Sequence, residues 1–235
     1  MRILKPKRHG LLTPGQVAVL EAFIAFPDSS CFYLTGGTAL AEFYLGHRRS
    51  FDLDLFTGEE GLVLPFSKVF ENQLEEVGFG VRVVRRLESF AEFLVKARGE
   101  EVRVQLGYDT PFRLAPLEET PLGKVNDFVD LAVDKLLAFF GRAEPRDAVD
   151  LFFLLKVVKL EELIELAQKK DPGFDPYWLA RALKRVEDFP DQRERWPVDM
   201  VLSWEPGEVK AQFSAHADEI LDSIRRGKFR IGGEG

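Results

Sequence analysis

The sequence predicts an α+β chain in which an α/β half precedes an all-helical half. Apolar runs with the two-residue period of strands occur only before about residue 110. From Asp127 onward the apolar residues recur at helical spacing instead. Between the two patterns lies the proline-rich stretch 111–121, which sets the expected boundary at residues 110–125. The α/β core is accordingly drawn over residues 1–115 and the helical part over 116–235.

Each element has a local reason. Thr13-Pro14-Gly15-Gln16 is a capping box with proline at the first helical position, opening a helix to about Phe26. Residues 27–30 break it. Residues 31–35 form a short apolar run ending in Gly36-Gly37, which reads as a buried strand entering a tight turn. A helix follows over 38–45. Residues 51–57 alternate aspartate with leucine or phenylalanine, the period of a strand with one wet face. Residues 65–77 read as an amphipathic helix with Phe66, Val69, Phe70, Leu74 and Val77 on one face, closed by Gly78. Strands are expected over 80–84, 91–97 and 102–108, the last two joined by a hairpin at Gly99-Glu100. Residues 127–142 and 145–159 read as a helical pair, and Asp175-Pro176 opens another helix. A final one covers 208–226, with Phe213, Ala217, Ile220, Leu221 and Ile224 inward.

Composition narrows the classes. The chain has 235 residues, 46% apolar and 30% charged, enough to bury a real core. Thirty-two basic against 39 acidic residues give −7, which argues against a generally basic nucleic-acid coat protein while leaving room for local basic patches. Cys31 is the only cysteine, so neither an internal disulfide nor a cysteine-rich zinc site is available. The basic start has no apolar signal-like stretch, and the greasiest run, 149–158, is broken by Asp150 and Lys156. The expectation is a cytoplasmic protein with no membrane partner.

Two segments carry chemistry. In Gly36-Gly37-Thr38 the glycines let a phosphate approach the backbone, and the following helix offers free N–H groups and a positive dipole end. Thr38 adds a hydroxyl. Thirteen residues later comes Asp52-Leu53-Asp54, whose carboxylates emerge from one face of a strand. Paired oxygen ligands suit Mg²⁺, which completes its shell with water and substrate phosphates. Singly, the first motif is compatible with a structural turn and the second with a solvated face. Together, on strand–turn–helix–strand, they favour a phosphate-and-metal site.

Gly36-Gly37-Thr38-Ala39-Leu40, and then Gly46-His47-Arg48-Arg49-Ser50-Phe51-Asp52-Leu53-Asp54-Leu55-Phe56, resemble the AbiEii/AbiGii-type toxin family of the nucleotidyltransferase superfamily. A second block is similar too: Asp134-Lys135-Leu136-Leu137-Ala138, then Arg142, then Arg146-Asp147-Ala148-Val149-Asp150-Leu151. The resemblance covers roughly residues 30–160. It implies a polymerase-β-like core, with a mixed sheet flanked by helices, and Mg²⁺-dependent use of a nucleoside triphosphate, with Mn²⁺ as the alternative ion. It also implies a toxin with a cognate antitoxin, some relatives adding nucleotides to the 3′ end of tRNA. On this basis Asp52 and Asp54 are the catalytic metal ligands and Lys135 the catalytic cation. Gly36, Gly37, Thr38, Arg48, Ser50, Lys135, Arg142, Arg146 and Asp147 are the expected nucleotide-binding residues.

The second block also makes physical sense. Lys135 can run its stem over apolar surface and present its ammonium to a triphosphate, with Arg142 two turns on along the same side. The alternative is an ordinary charged helix pair, with Asp147 at a positive helix end and Arg146–Asp150 a surface ion pair. His47, beside two arginines, is read as a surface or packing residue rather than a base. One departure stands out. Superfamily members commonly carry a third carboxylate on a later core strand, and the matching strand offers Gln105 in its middle and Asp109 only at its end. Glutamine cannot act as a general base.

The reading is an Mg²⁺-dependent nucleotidyltransferase moving a nucleoside monophosphate to an acceptor hydroxyl, with an RNA (tRNA) 3′ end as first choice. Arg82, Arg85 and Arg86, then Arg181, Lys184 and Arg185, then Arg225, Arg226, Lys228 and Arg230 are candidate phosphate contacts. The alternatives are nucleotidylation of a protein or small molecule, and a silent nucleotide-binding or interaction protein.

Overall fold

The computed structural model describes residues 3–227. Contacts divide the chain into two compact units, Leu4–Phe128 and the chain from Val129 onward.

In the first unit, α1 (Pro14–Phe23) begins at the expected capping box: the Gln16 N–H donates to the Thr13 hydroxyl at 3.2 Å, and the Thr13 N–H donates to the Gln16 side chain at 3.0 Å. β1 (Phe32–Thr35), buried along its length, runs directly into α2 (Gly36–Leu40), which continues as a π-helical turn over Ala41–Leu45. Gly46, with φ of 62°, closes that turn by donating to the Ala41 carbonyl at 2.9 Å. The two-residue β2 (Arg48–Arg49) and β3 (Asp52–Thr57) follow, then α3 (Val63–Glu76), β4 (Gly80–Arg86), β5 (Phe90–Ala97), β6 (Glu100–Tyr108), β7 (Glu118–Thr120) and β8 (Gly123–Val125). The hairpin between β5 and β6 turns on Arg98 and Gly99, both at positive φ, one residue earlier than expected.

Seven strands form one mixed sheet in the order β4-β5-β6-β3-β1-β8-β7. β3 is antiparallel to β1 and parallel to β6, and β1 is parallel to β8. The implied mixed sheet flanked by helices is therefore present. The α/β unit does not stop at residue 115. β8 pairs with β1 through Leu34 and Val125, and the Asn126 N–H donates to the Leu34 carbonyl at 2.8 Å, so the sheet draws the chain in as far as Phe128. Strands of three residues, set among prolines, carry too few alternating positions to announce themselves.

α1 and α3 pack on one face of the sheet. Phenylalanines fill that layer: the Phe32 and Phe66 rings are 4.3 Å apart and those of Phe70 and Phe93 5.1 Å. Each such side chain contributes about 1.5–3 kcal/mol by burial. The apolar face of α3 is narrower than expected. Phe66, Phe70 and Leu74 are buried at i, i+4, i+8, whereas Val69 and Val77 are exposed.

The second unit contains α4 (Phe128–Arg142), α5 (Pro145–Leu154), α6 (Leu160–Lys170), α7 (Pro176–Lys184) and α8 (Pro206–Arg225). Asp175 caps α7 as expected, accepting from the Tyr177 N–H at 2.8 Å. In α8, Phe213, Ala217 and Ile220 are buried, while Leu221 and Ile224 are only half-buried. The part is not helical throughout. Between α7 and α8 the chain makes 3₁₀ turns at Arg185–Asp188 and Arg193–Arg195 and a two-residue strand, β9 (Asp199–Met200). Pro190 and Pro197 remove backbone donors there, and the buried rings of Trp196 and Trp204, 4.9 Å apart, anchor the loop. Among the described residues no helix is long and apolar enough to cross a membrane.

Candidate functional site

The register of β1 against β3 joins the two motifs of the first unit. Thr35, the residue before Gly36, lies opposite Asp54. Along β3 the side chains alternate: Leu53, Leu55 and Thr57 enter the core, and Asp52, Asp54 and Phe56 stand half-exposed on the other face. Crowding explains the glycines. Gly36 has φ of 69°, and a methyl there would overlap the Asp54 carboxylate. A methyl on Gly37 would run into the Arg48 guanidinium and the Ser50 hydroxyl. Gly36, Gly37, Arg48, Ser50, Asp52 and Asp54 are thus brought together.

Thr38 departs from its expected role. It is fully buried, and its hydroxyl donates to the Asp52 carbonyl. It holds β3 in place instead of offering a hydroxyl to phosphate. Arg48 is buried too, donating to the Arg49 carbonyl at 3.0 Å, and the Gln16 amide on α1 donates to the Ser50 carbonyl at 2.9 Å. Gln16 therefore fixes both its own helix start and the loop ahead of Asp52. His47 is buried, in keeping with a packing role.

The donor chemistry fits a hard divalent cation. Two half-exposed carboxylates share one strand face, and glycine leaves the space beside Asp54 clear of any side chain of its own. Among the described residues no group of three or more His, Cys, Asp or Glu is placed to hold a metal. Asp52 and Asp54 would leave most of the shell to water and phosphate oxygens, the arrangement Mg²⁺ prefers.

The third-carboxylate question has a geometric answer. Gln105 on β6 lies directly opposite Asp54. Asp109 lies four residues further on, about 13 Å away at ~3.3 Å per residue, where it accepts from the Tyr33 hydroxyl at 2.9 Å. Burial, and then the Asp109 carboxylate, raise the Tyr33 phenol above its ordinary range, so it stays a donor to Asp109. Asp109 does not reach in. The sequence reading overlooks a different carboxylate, Glu92 on β5, opposite Gln105 and buried. Its carboxylate takes the Arg103 guanidinium, which also approaches Asp52 Oδ1 at 3.7 Å. A lone acid inside the apolar run Phe90-Ala91-Glu92-Phe93-Leu94-Val95 is the signal that would have found it.

The helical unit gathers the second block at the α4–α5 corner. Lys135, 9% exposed, meets the fully buried Asp150 at 2.7 Å. The Arg142 fork grips Asp147 through two hydrogen bonds of 2.6 and 2.7 Å, and that pairing raises the guanidinium pKa further. Asp147 is fully buried, so it orients Arg142 and does not itself offer a face to a nucleotide. Arg146 pairs with Glu144 at 3.0 Å, and Asp150, which the alternative reading paired with Arg146, takes Lys135.

The basic clusters divide. Arg86 is held by Glu71, Lys184 by Asp218 and Ser214, and Arg225 by Asp222. Arg82, Arg181, Arg185 and Arg226 carry no ion pair among the described residues. Lys228 and Arg230 lie outside the described residues.

Comparison with solved structures finds the same fold. A Helicobacter pylori crystal structure described as a nucleotidyltransferase superposes with a TM-score of 0.58 at 15% identity, covering 91% of this chain and 96% of that one. JHP933 from the same organism gives 0.55 at 18% identity over 90% and 92%. MenT4, a nucleotidyltransferase toxin of Mycobacterium tuberculosis, gives 0.52 at 16% identity over 88% and 83%. The search of curated proteins returns no match. The family model for the nucleotidyl transferase AbiEii toxin of type IV toxin–antitoxin systems matches residues 18–203, which contain both motif blocks. With most of its length matched, and with glycine turn and aspartate pair in register on one sheet, the chain belongs to the AbiEii family of nucleotidyltransferase toxins.

Proposed function

We propose that this nucleotidyltransferase uses Mg²⁺ on Asp52 and Asp54 to transfer a nucleoside monophosphate from a triphosphate to the 3′ hydroxyl of an RNA, with tRNA the first candidate. The observation that carries the reading is the pair of half-exposed carboxylates on β3, packed against a glycine at positive φ. When bound, Mg²⁺ would supply charge neutralisation at the phosphates and lower the pKa of a bound hydroxyl. The protein's own share is positioning. Gln16 fixes the backbone ahead of the aspartates at Ser50, and Thr38 holds the Asp52 carbonyl between them. Gly36 and Gly37 keep bulk away from Asp54, Arg48 and Ser50. Lys135 and Arg142, oriented by Asp150 and Asp147, would be the cations offered to the triphosphate. A cognate antitoxin is the partner that family membership implies.

The RNA acceptor draws support from α7. Trp178 is 60% exposed, and Tyr177, also exposed, packs edge-on against it at 5.4 Å. Arg181 and Arg185 continue that stripe at i+3 and i+7 from Trp178. Aromatic faces with neighbouring guanidinium groups are what single-stranded nucleic acid uses, each stacked base contributing ~1–3 kcal/mol. Label transfer to gel-purified tRNA, beside the same tRNA with an oxidised 3′ terminus, tests the acceptor. Label should appear only on the intact terminus. Label on both, or on a cellular protein alone, would overturn the 3′-hydroxyl assignment. Trp178→Ala should lower RNA labelling about tenfold without altering nucleotide affinity.

Gln105 favours a second reading, in which the nucleotide is bound and turned over slowly or not at all, because no carboxylate stands opposite Asp54 on β6. Nucleotide binding without pyrophosphate release would identify that case.

A further inference from the structure

Glu92 is a buried carboxylate on the site face of the sheet, 6% exposed, that no step above employs. The cross-strand row runs Asp54–Gln105–Glu92, with Asp52 opposite Arg103 one step along. Arg103 spans the gap. Its guanidinium makes a hydrogen-bonded ion pair with Glu92, while its Nε sits 3.7 Å from Asp52 Oδ1, beyond hydrogen-bond length. The two contacts differ in kind. Glu92 is nearly dry and the Asp52 side chain is 43% exposed, so the grip on Glu92 is less screened than the approach to Asp52. The Arg103 side chain is 45% exposed and lies within reach of both carboxylates.

A guanidinium beside Asp52 competes with any cation for the same oxygen. We propose that Glu92 is a positioning residue that anchors Arg103 away from Asp52 and so keeps that carboxylate open to a divalent metal. The proposal rests on the metal reading of Asp52 and Asp54. Glu92 itself is not placed as a ligand, since among the described residues no three carboxylates, histidines or cysteines converge on one metal position. With Glu92 neutralised, Arg103 would settle on Asp52 and close the site. With Arg103 removed, Asp52 would be open whatever stands at residue 92.

Mn²⁺ titration of the full chain followed by electron paramagnetic resonance tests this without reference to turnover. Glu92→Gln should weaken Mn²⁺ binding about tenfold. Arg103→Met should tighten it severalfold, and the double variant should bind like Arg103→Met alone, because no guanidinium is left to be anchored. Arg103→Lys, which keeps a cation near Glu92 but shortens the reach to Asp52, replaces Arg103→Met if that chain fails to fold, and should also bind tighter than wild type. A double variant as weak as Glu92→Gln would overturn the proposal, making Glu92 a ligand. Wild-type affinity in both single variants would overturn it as well. Absence of Mn²⁺ binding by the wild-type chain would instead defeat the metal reading beneath it.

Discussion

Asp54 is the residue on which the site turns. It is flanked by Gly36 on β1's side and by Gln105 on β6's, and it shares a face with Asp52. Asp54→Asn should cut nucleotidyl transfer by more than about 100-fold, the scale of losing one preorganised electrostatic group. Its thermal unfolding midpoint should hold or rise slightly, since two carboxylates on one face repel. Gly36→Ala should fail differently. A residue at φ of 69° costs roughly 1–2 kcal/mol if not glycine, and the added methyl displaces the Asp54 carboxylate, so stability and activity fall together. Gly99→Ala is the control. Its φ is 80° with nothing within 4 Å, so it should lose stability alone, as melting curves and labelling assays on the three variants would show.

At the scale of elements, the joint between α4 and α6 is held by charge. Lys170, with its side chain 7% exposed, reaches Asp130 at 2.7 Å and Asp134 at 2.6 Å. Burial lowers the lysine pKa, but the two carboxylates outweigh it and the net direction is up. A raised pKa contributes stability below the unfolded lysine value of about 10.4 and loses it as pH climbs through the higher folded value. Lys170→Met should cost roughly 3–5 kcal/mol in denaturant unfolding, because it removes a buried ion pair to Asp130 and a second pair to Asp134. That difference should shrink as pH climbs above about 10.4, where the unfolded chain gives up its lysine proton first and the folded wild type only at its higher value. A constant gap from pH 7 to 11 would mean that the lysine acts through packing. Elements differ in how plainly the sequence declares them. The capping box at Thr13, the alternation of β3 and the proline start of α7 rest on neighbours in sequence and are legible there. β7, β8, the π turn and the loop around Trp196 depend on partners far along the chain. Period analysis cannot register them.

Over the whole molecule, the aspartate pair and the glycines beside it were legible because they lie within one strand–turn–helix–strand segment. Glu92 and Arg103 were not, because their meaning comes from register across β3, β6 and β5. The same holds for Lys135, whose partner Asp150 becomes visible only when α4 and α5 fold against each other. The proposed acceptor surface belongs to this scale too. If Arg181 and Arg185 grip phosphates, RNA labelling should fall steeply with salt, each contact adding a slope of about −0.7 for single strands. A salt-insensitive rate would remove RNA phosphate contacts from the account. The central claim is nucleotidyl transfer at Asp52 and Asp54. Its most direct test incubates wild type and Asp54→Asn with total RNA, Mg²⁺ and nucleoside triphosphate labelled at either the α or the γ phosphorus. The account predicts α label in the acceptor, γ label released in pyrophosphate, and neither with Asp54→Asn. Label from the γ position in the acceptor, or α transfer undiminished in Asp54→Asn, would contradict it.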